Sequence, residues 1–279
     1  MKLLVVLIAL LLERHWDEIY QVRRSWPLTR VMESLANLPV LEDMNSGARV
    51  WVILGLVLLA YYILFGSWVW GLLWGIIGLF MLIYSMETVP GRLDFEHHLK
   101  QVGNMASSAE LEQVRDQHDA FVGELSDEIS RGFFPALFWF VLAGPMGILI
   151  YLVLRGYADW EAELDEEGEE LVADTPAHWL LHYLEWIPAR IHGLVMALLG
   201  DFSETIGEWM ESLAEIQEDP AVSIEQYTRM AVHPLPEVAM HMDDLVWQIE
   251  KQTRRLKLLF DRLVWGWLAV LALFIIVLG

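Results

Sequence analysis

Charged residues are missing from long blocks of this chain: none occurs between Val50 and Met86, between Phe133 and Leu154, or from Val264 to Gly279. Wound as one helix, the first block would rise about 55 Å, against a bilayer hydrocarbon core of about 30 Å. It therefore predicts two spans folded back at Gly66-Ser67. The hydrophobic segments fall at about 1–12, 50–66, 68–86, 133–154, 179–200 and 264–279. In lipid the backbone must bond to itself, so such segments are helices or a closed barrel. Their unbroken apolarity lacks the in–out alternation that a barrel needs. The pattern predicts an all-α, polytopic membrane protein: one membrane-embedded domain over 1–279 with roughly four to six embedded helices.

Three polar stretches separate the apolar blocks. Glu13–Arg49 carries Arg14, Arg23, Arg24, Arg30 and Arg49. In Glu87–Gly132, Leu99, Val102, Leu111 and Val114 recur at helical spacing, which predicts amphipathic helices on or beside the cytoplasmic face of the membrane. In Arg155–Arg262, Asp201–Leu213 and Val238–Phe260 read as helices separated by a stretch punctuated at Pro220, Pro234 and Pro236. The N-terminal run ends in Glu13-Arg14-His15 with no small-residue cleavage site, so it predicts an uncleaved first helix rather than a signal peptide. No internal repeat is visible.

Basic residues mark the cytoplasmic side. The uncharged Gly66-Ser67 turn then faces out, while Lys251, Arg254, Arg255, Lys257 and Arg262 lie inside. Gly156–His178 is acidic and holds no Lys or Arg, as an outside loop should, if Phe133–Leu154 and Trp179–Gly200 both cross. The alternative makes Leu142–Gly147 the apex of a re-entrant or broken helix, since Gly144-Pro145 interrupts the run. Both arrangements fit the sequence.

Charge changes the picture further. With 39 acids against 18 bases, the net charge of −21 argues against a nucleic-acid partner, which needs basic clusters. There is no cysteine, hence no disulfide, thiolate or cysteine metal site. No phosphate-binding glycine loop and no nucleophile elbow occurs. The 14 tryptophans fit interfacial belts.

Candidate chemistry concentrates in the segment 179–200. An ionisable side chain at membrane depth costs about 2.5–3.5 kcal/mol on insertion scales. Glu185 and Arg190 are five apart, off register on a straight helix. Pro188 between them bends the helix and frees a carbonyl, so the two could meet or point into one cavity. The bland alternative is an ion pair that pins helices together. His178, His182, Glu185 and His192 share a stripe with ligand-like spacing for a divalent metal, with hydrogen-bonded interior histidines as the plainer reading.

Several stretches together resemble one family. LLLER at 10–14, PALFWFVLAGPMGILIYLVLR at 135–155 and HYLEWIPARIHGLVMALLG at 182–200 are similar to the AmpE family of bacterial inner-membrane proteins, with the same order along the chain. That family is a distant relative of the CobD/CbiB adenosylcobinamide-phosphate synthases. The resemblance implies a multi-pass inner-membrane signalling modulator linked to β-lactamase induction, peptidoglycan recycling and the AmpD amidase. The synthase relatives carry an acidic pair and an asparagine before Pro-Ala-Arg; here those positions are Leu181-His182 and Glu185, while Pro188-Ala189-Arg190 is intact. Their Glu-Asn and Asp-Gly run is absent from DEISRGFFPALF, and RGYAD stands where they have a polar Asn-Thr-Leu-Asp-Ser. Synthase activity is thereby disfavoured, and no cofactor beyond a divalent metal is implied.

The expected site is an intramembrane pocket for a small anionic cell-wall metabolite, built from Arg190, Pro188, Glu185, His182, Gly144, Pro145 and Arg155. His178, His182 and Glu185 are the metal candidates. A membrane ligase or phosphotransfer enzyme is the rival reading; it needs further acids, for which Glu87, Asp94, Glu96, Asp127 and Glu128 are available. A small transporter built on the two broken helices is the third reading. The last helix shows no strong small-residue dimerisation motif, and the oligomeric state is left open.

Overall fold

The computed structural model describes residues 2–15, 28–36, 38, 41, 44–65, 76–78, 80–81, 95–131, 133–166, 175–235 and 241–278. Among these residues every regular element is helical and no strand occurs, so the fold is all-α. The helices are α1 (Lys2–His15), α2 (Leu28–Ala36), α3 (Ser46–Phe65), α4 (Phe95–Met105), α5 (Leu111–Arg131), α6 (Phe133–Ala143), α7 (Pro145–Glu166), α8 (Pro176–Leu199), α9 (Phe202–Ser212), α10 (Pro220–Val232) and α11 (Met242–Leu278). The Gly66-Ser67 turn and most of the 68–86 segment lie outside the described residues. Among the described residues no helix is long and apolar enough to cross a membrane.

The chain divides into two compact units, each discontinuous in sequence: 1–87 with 135–184, and 88–134 with 185–279. Of the three boundaries along the chain, one lies between residues 87 and 88, one within α6 and one within α8, one turn before Pro188.

In the first unit, α2, α3, α7 and the start of α8 enclose a core of Met32, Ile53, Leu54, Val153, Tyr157, Trp160 and Ala177. The break between α6 and α7 is explained residue by residue. Gly144 adopts φ 71°, a left-handed conformation that glycine takes without a Cβ penalty. Pro145 then occupies the first position of α7, where its missing N–H costs nothing. Gly147 lies so close to the Trp139 carbonyl that any Cβ would collide with it.

Pro188 is accommodated inside α8. A proline cannot donate to the carbonyl four residues earlier, which here belongs to Leu184. The indole Nε1–H of Trp139 donates to that oxygen at 2.8 Å. The freed carbonyl is thus satisfied inside the first unit.

The second unit packs α4, α5, α9, α10 and α11 with the C-terminal half of α8. The amphipathic faces of α4 and α5 meet α11 rather than a bilayer surface: Val102 and Val114 are buried with Leu245 and Ile249. The stretch punctuated by prolines contains a further helix, α10, with Asp219 as its N-cap and Pro220 at its start. The predicted helices at 201–213 and 238–260 correspond to α9, capped by Asp201, and to the first part of α11. In α11 the helix continues without interruption to Leu278, 37 residues in all.

The Trp139→Phe variant keeps most of the ring volume but leaves the Leu184 carbonyl without its donor. It is expected to lose about 1–3 kcal/mol of stability in denaturant unfolding of the purified protein. No change in stability would show that the carbonyl is satisfied some other way.

Candidate functional site

Arg190, two residues after Pro188, is 4% exposed. Its guanidinium points into the second unit. Nη1–H donates to the Tyr227 hydroxyl at 2.8 Å and Nη2–H to the Glu215 carbonyl at 3.1 Å. Its Cζ stands 5.2 Å from the centre of the Trp186 ring, a cation–π contact.

The bonds around Arg190 close on themselves. Ser212 Oγ–H donates to the Trp209 carbonyl, so the Tyr227 hydroxyl donates to Ser212 Oγ while accepting from Arg190. Trp209 Nε1–H in turn donates to the Arg190 carbonyl at 2.6 Å. The ring Arg190–Tyr227–Ser212–Trp209–Arg190 joins α8, α9 and α10. It exists because position 193 is glycine: a Cβ there would collide with the Tyr227 ring and come within 2.8 Å of Trp209 Cδ1. Burial raises the Tyr227 pKa against the opposing pull of Ser212 and Arg190, keeping the phenol protonated and able to donate.

The expected pairing of Arg190 with Glu185 is not what the structure builds. Among the described residues no carboxylate stands within ion-pairing distance of Arg190, and its Nε–H is buried without an acceptor. Glu185 is itself buried, 8% exposed. Pro188 belongs to the second unit with Glu185 and Arg190, and His182, Gly144, Pro145 and Arg155 to the first. Gly144 and Pro145 form the α6–α7 break, and Arg155 Nε lies 3.7 Å from Asp159 one turn on. His182 is set edge-on against Tyr183.

The metal candidates do not converge. His178 Nδ1 lies 2.9 Å from Thr175 Oγ1 and 3.5 Å from Glu161, while His182 faces Tyr183. Among the described residues no group of three or more His, Asp or Glu side chains could hold a metal ion. Of the extra acids that an enzyme would need, Glu87, Asp94 and the Glu128 side chain lie outside the described residues; Glu96 is exposed and Asp127 half-buried.

A second buried polar system lies in α4, α5 and α11; of its members the sequence marks only His98, beside His97, and only as a weak metal candidate. His98 Nε2 lies 2.9 Å from His118 Nδ1, and His118 Nε2 lies 2.7 Å from Gln252 Oε1. Gln252 Nε2–H donates to the His233 carbonyl, so its Oε1 must accept from His118. That leaves His118 Nδ1 to accept from His98, and both rings are neutral. His98 also stacks on Phe121 with ring centres 3.9 Å apart. Desolvation, with His118 as a lesser cause, lowers the His98 pKa to about 4; His118 is lowered too, chiefly by burial, against Gln252 and Asp119. The available signal was positional. His98 shares its stripe with Phe95 and Val102, and His118 shares one with Val114, Val122 and Leu125, so both histidines stand on apolar faces.

These features define a class: an all-helical protein with long apolar segments, whose second unit is a bundle knotted by a buried arginine. A family described as "Regulatory signalling modulator protein AmpE" matches residues 103–248, more than half of the chain. A protein from Shigella flexneri named "Protein AmpE" is 29% identical over 136 residues, 47% of this chain and 44% of that relative. The match thus spans less than half the length of the curated relative. No solved structure matches the chain. The chain belongs to the AmpE family.

Tyr227→Phe removes one link of the closed ring and leaves Arg190 Nη1 and Ser212 without that partner. A loss of about 1–3 kcal/mol in unfolding free energy is expected.

Acid is the natural probe of the histidine pair. Both rings stay neutral in the fold, whereas in the unfolded chain they take up protons below their ordinary value of 6.5. Stability is therefore full above that pH and falls as the pH drops toward 4, the unfolded state binding more protons. The loss from His98 alone is on the order of 2 kcal/mol by about pH 4.5, and His118 adds to it in the same direction. His98→Gln keeps a donor toward His118 but cannot titrate, so it should flatten the profile. An unchanged slope would assign the acid sensitivity elsewhere.

Proposed function

We propose that this chain is a bilayer-embedded regulatory protein of the AmpE kind, held by its apolar segments and presenting the second unit on the cytoplasmic side. The supporting observation is the outer face of the apolar helices. On α3, Val50, Ile53 and Leu54 are buried, yet Trp51, Leu56, Leu59, Tyr62 and Ile63 are exposed. Beyond Arg262, α11 buries Leu263, Trp267 and Leu271 and exposes Trp265, Leu273 and Ile276. A helix apolar on every side needs an apolar surrounding beyond its own packing, and a lipid bilayer supplies it. The family's reading then gives the output as modulation of β-lactamase induction and peptidoglycan-recycling signals together with the AmpD amidase, in the bacterial inner membrane.

The absence of cysteine makes the test clean. Single cysteines at Leu59 and Leu273, with Glu204→Cys on the exposed side of α9 as control, are probed with a membrane-impermeant maleimide in inverted inner-membrane vesicles. Glu204→Cys should label, while Leu59→Cys and Leu273→Cys should stay unmodified until detergent is added. Equal labelling of all three in intact vesicles would sink the embedded reading.

A specific observation also favours an anion at Arg190: a buried cation with, among the described residues, no carboxylate in ion-pairing distance and no acceptor for Nε–H. Both Nη groups already serve neutral acceptors, so an entering anion would approach Nε or exchange with the Glu215 carbonyl. Native mass spectrometry of the purified protein against Arg190→Lys, with a muropeptide phosphate or carboxylate as probe, reads this out. Equal retention by both proteins would leave Arg190 a structural tie.

A further inference from the structure

Of the basic cluster ahead of the last apolar stretch, part is already engaged. Arg254 pairs with Glu250, and Lys251 stands over the Trp247 ring. Arg255 and Arg262 are different. They sit seven residues apart on one face of α11, about 10 Å along the helix. Both line a cleft of about 310 Å³ formed with the end of α8 and the end of α10. Arg255 gives a single hydrogen bond, Nη1–H to the Val232 carbonyl at 3.3 Å. Among the described residues neither guanidinium has a carboxylate within ion-pairing distance. In a chain with 39 acids and 18 bases, two arginines lining one cleft with no ion pair among the described residues are conspicuous.

The cleft is shaped for a polar head and an apolar tail. Its one carboxylate, Asp201, is already engaged: it caps α9 through Ser203 and Glu204 and lies 3.2 Å from His233 Nε2. His233 holds φ 66° at the C-cap of α10, an uncommon conformation for a residue with a side chain, and lines the same cleft. Gly200 allows the tight wall, since a Cβ there would come within 2.7 Å of Ala231 Cβ. Leu258 and Leu259 lie between the two arginines, and Leu258 is exposed. The uncharged run of α11 begins directly after Arg262, with Trp265 exposed on it. A guanidinium pair beside apolar walls, at the edge of an apolar helix, suits a phosphate carried at a membrane surface.

We propose that the Arg255–Arg262 cleft is a phosphate-binding site, with the two guanidinium groups as its donors. Its ligand is the phosphodiester of an anionic phospholipid or a soluble phosphate of the same chemistry. The phosphate chemistry does not depend on the membrane reading; only the lipid source does.

The full chain in mild detergent is tested by native mass spectrometry with phosphatidylglycerol, phosphatidylcholine and inorganic phosphate as separate probes. Wild type should retain phosphatidylglycerol in preference to phosphatidylcholine. Arg262→Gln, which removes no hydrogen bond between described residues, should weaken that retention about tenfold, and Arg255→Gln with Arg262→Gln more. Retention that survives excess inorganic phosphate assigns the headgroup as source. Displacement by inorganic phosphate, with the same sensitivity to Arg262→Gln, assigns a soluble phosphate and keeps the site even where the bilayer reading fails. Equal binding of both lipids, or equal phosphatidylglycerol retention by wild type and a folded Arg262→Gln, overturns the proposal.

Discussion

A guanidinium enclosed by protein needs acceptors, and the way that need is met organises the second unit. Arg190 holds the Tyr227 hydroxyl from α10 at Nη1 and the Glu215 carbonyl from the segment after α9 at Nη2, while its Nε–H has no acceptor among the described residues. Once those two are fixed, Ser212 and Trp209 are placed as well, because the phenol must donate somewhere and the indole closes the circuit on the Arg190 carbonyl. α10 then carries Arg229 to Asp119 on α5, with Glu225 one turn away on its own helix. A single charge on α8 thus fixes the position of α9 and α10, and α10 in turn is tied to α5.

The glycines show how little freedom that arrangement leaves. At 193 and 266 the helix backbones come close enough that a methyl group would meet Tyr227 at one position and Val195 at the other. Around Gly266, α11 lies against the last turns of α8, and Trp267 Nε1–H donates to His192. His192, read in the sequence as one of a ligand-like stripe, is thereby a partner of an indole. The three histidines and one glutamate of that stripe share spacing along α8, but spacing says nothing of what stands opposite: Thr175 and Glu161 at His178, Tyr183 at His182 and Trp267 at His192.

Much of this was legible from the chain alone, for identifiable reasons. Helical class followed from uncharged blocks that lack the in–out alternation of barrel strands, and the Gly144-Pro145 interruption followed from residue chemistry that permits only a few backbone conformations. Pro188 was rightly expected to free a carbonyl. Its donor was not legible, because Trp139 lies 45 residues away and sequence distance carries no information about tertiary contact. For the same reason Glu185 looked like the partner of Arg190, while the real acceptors lie 25 and 37 residues further along. Amphipathic α4 and α5 were read as membrane-surface helices, since periodicity reveals an apolar face without saying whether lipid or protein covers it. The Val102–Val114–Leu245–Ile249 core decides that in favour of protein.

The same ambiguity resolves in opposite directions along the apolar segments. The C-terminal half of α8 is greasy because Ala189, Val195, Met196 and Ala197 are core residues of the second unit. The end of α11 is greasy on its inner and its outer face, and only the inner face is used in packing. Apolarity in excess of what the fold can bury is therefore the quantity that separates a core helix from one destined for lipid. By that measure α3 and the end of α11 carry apolar surface that their own packing leaves uncovered, and the C-terminal half of α8 carries less of it, at Ile187 and Leu198. On α11 that uncovered surface begins just past Arg262, beside the basic cleft.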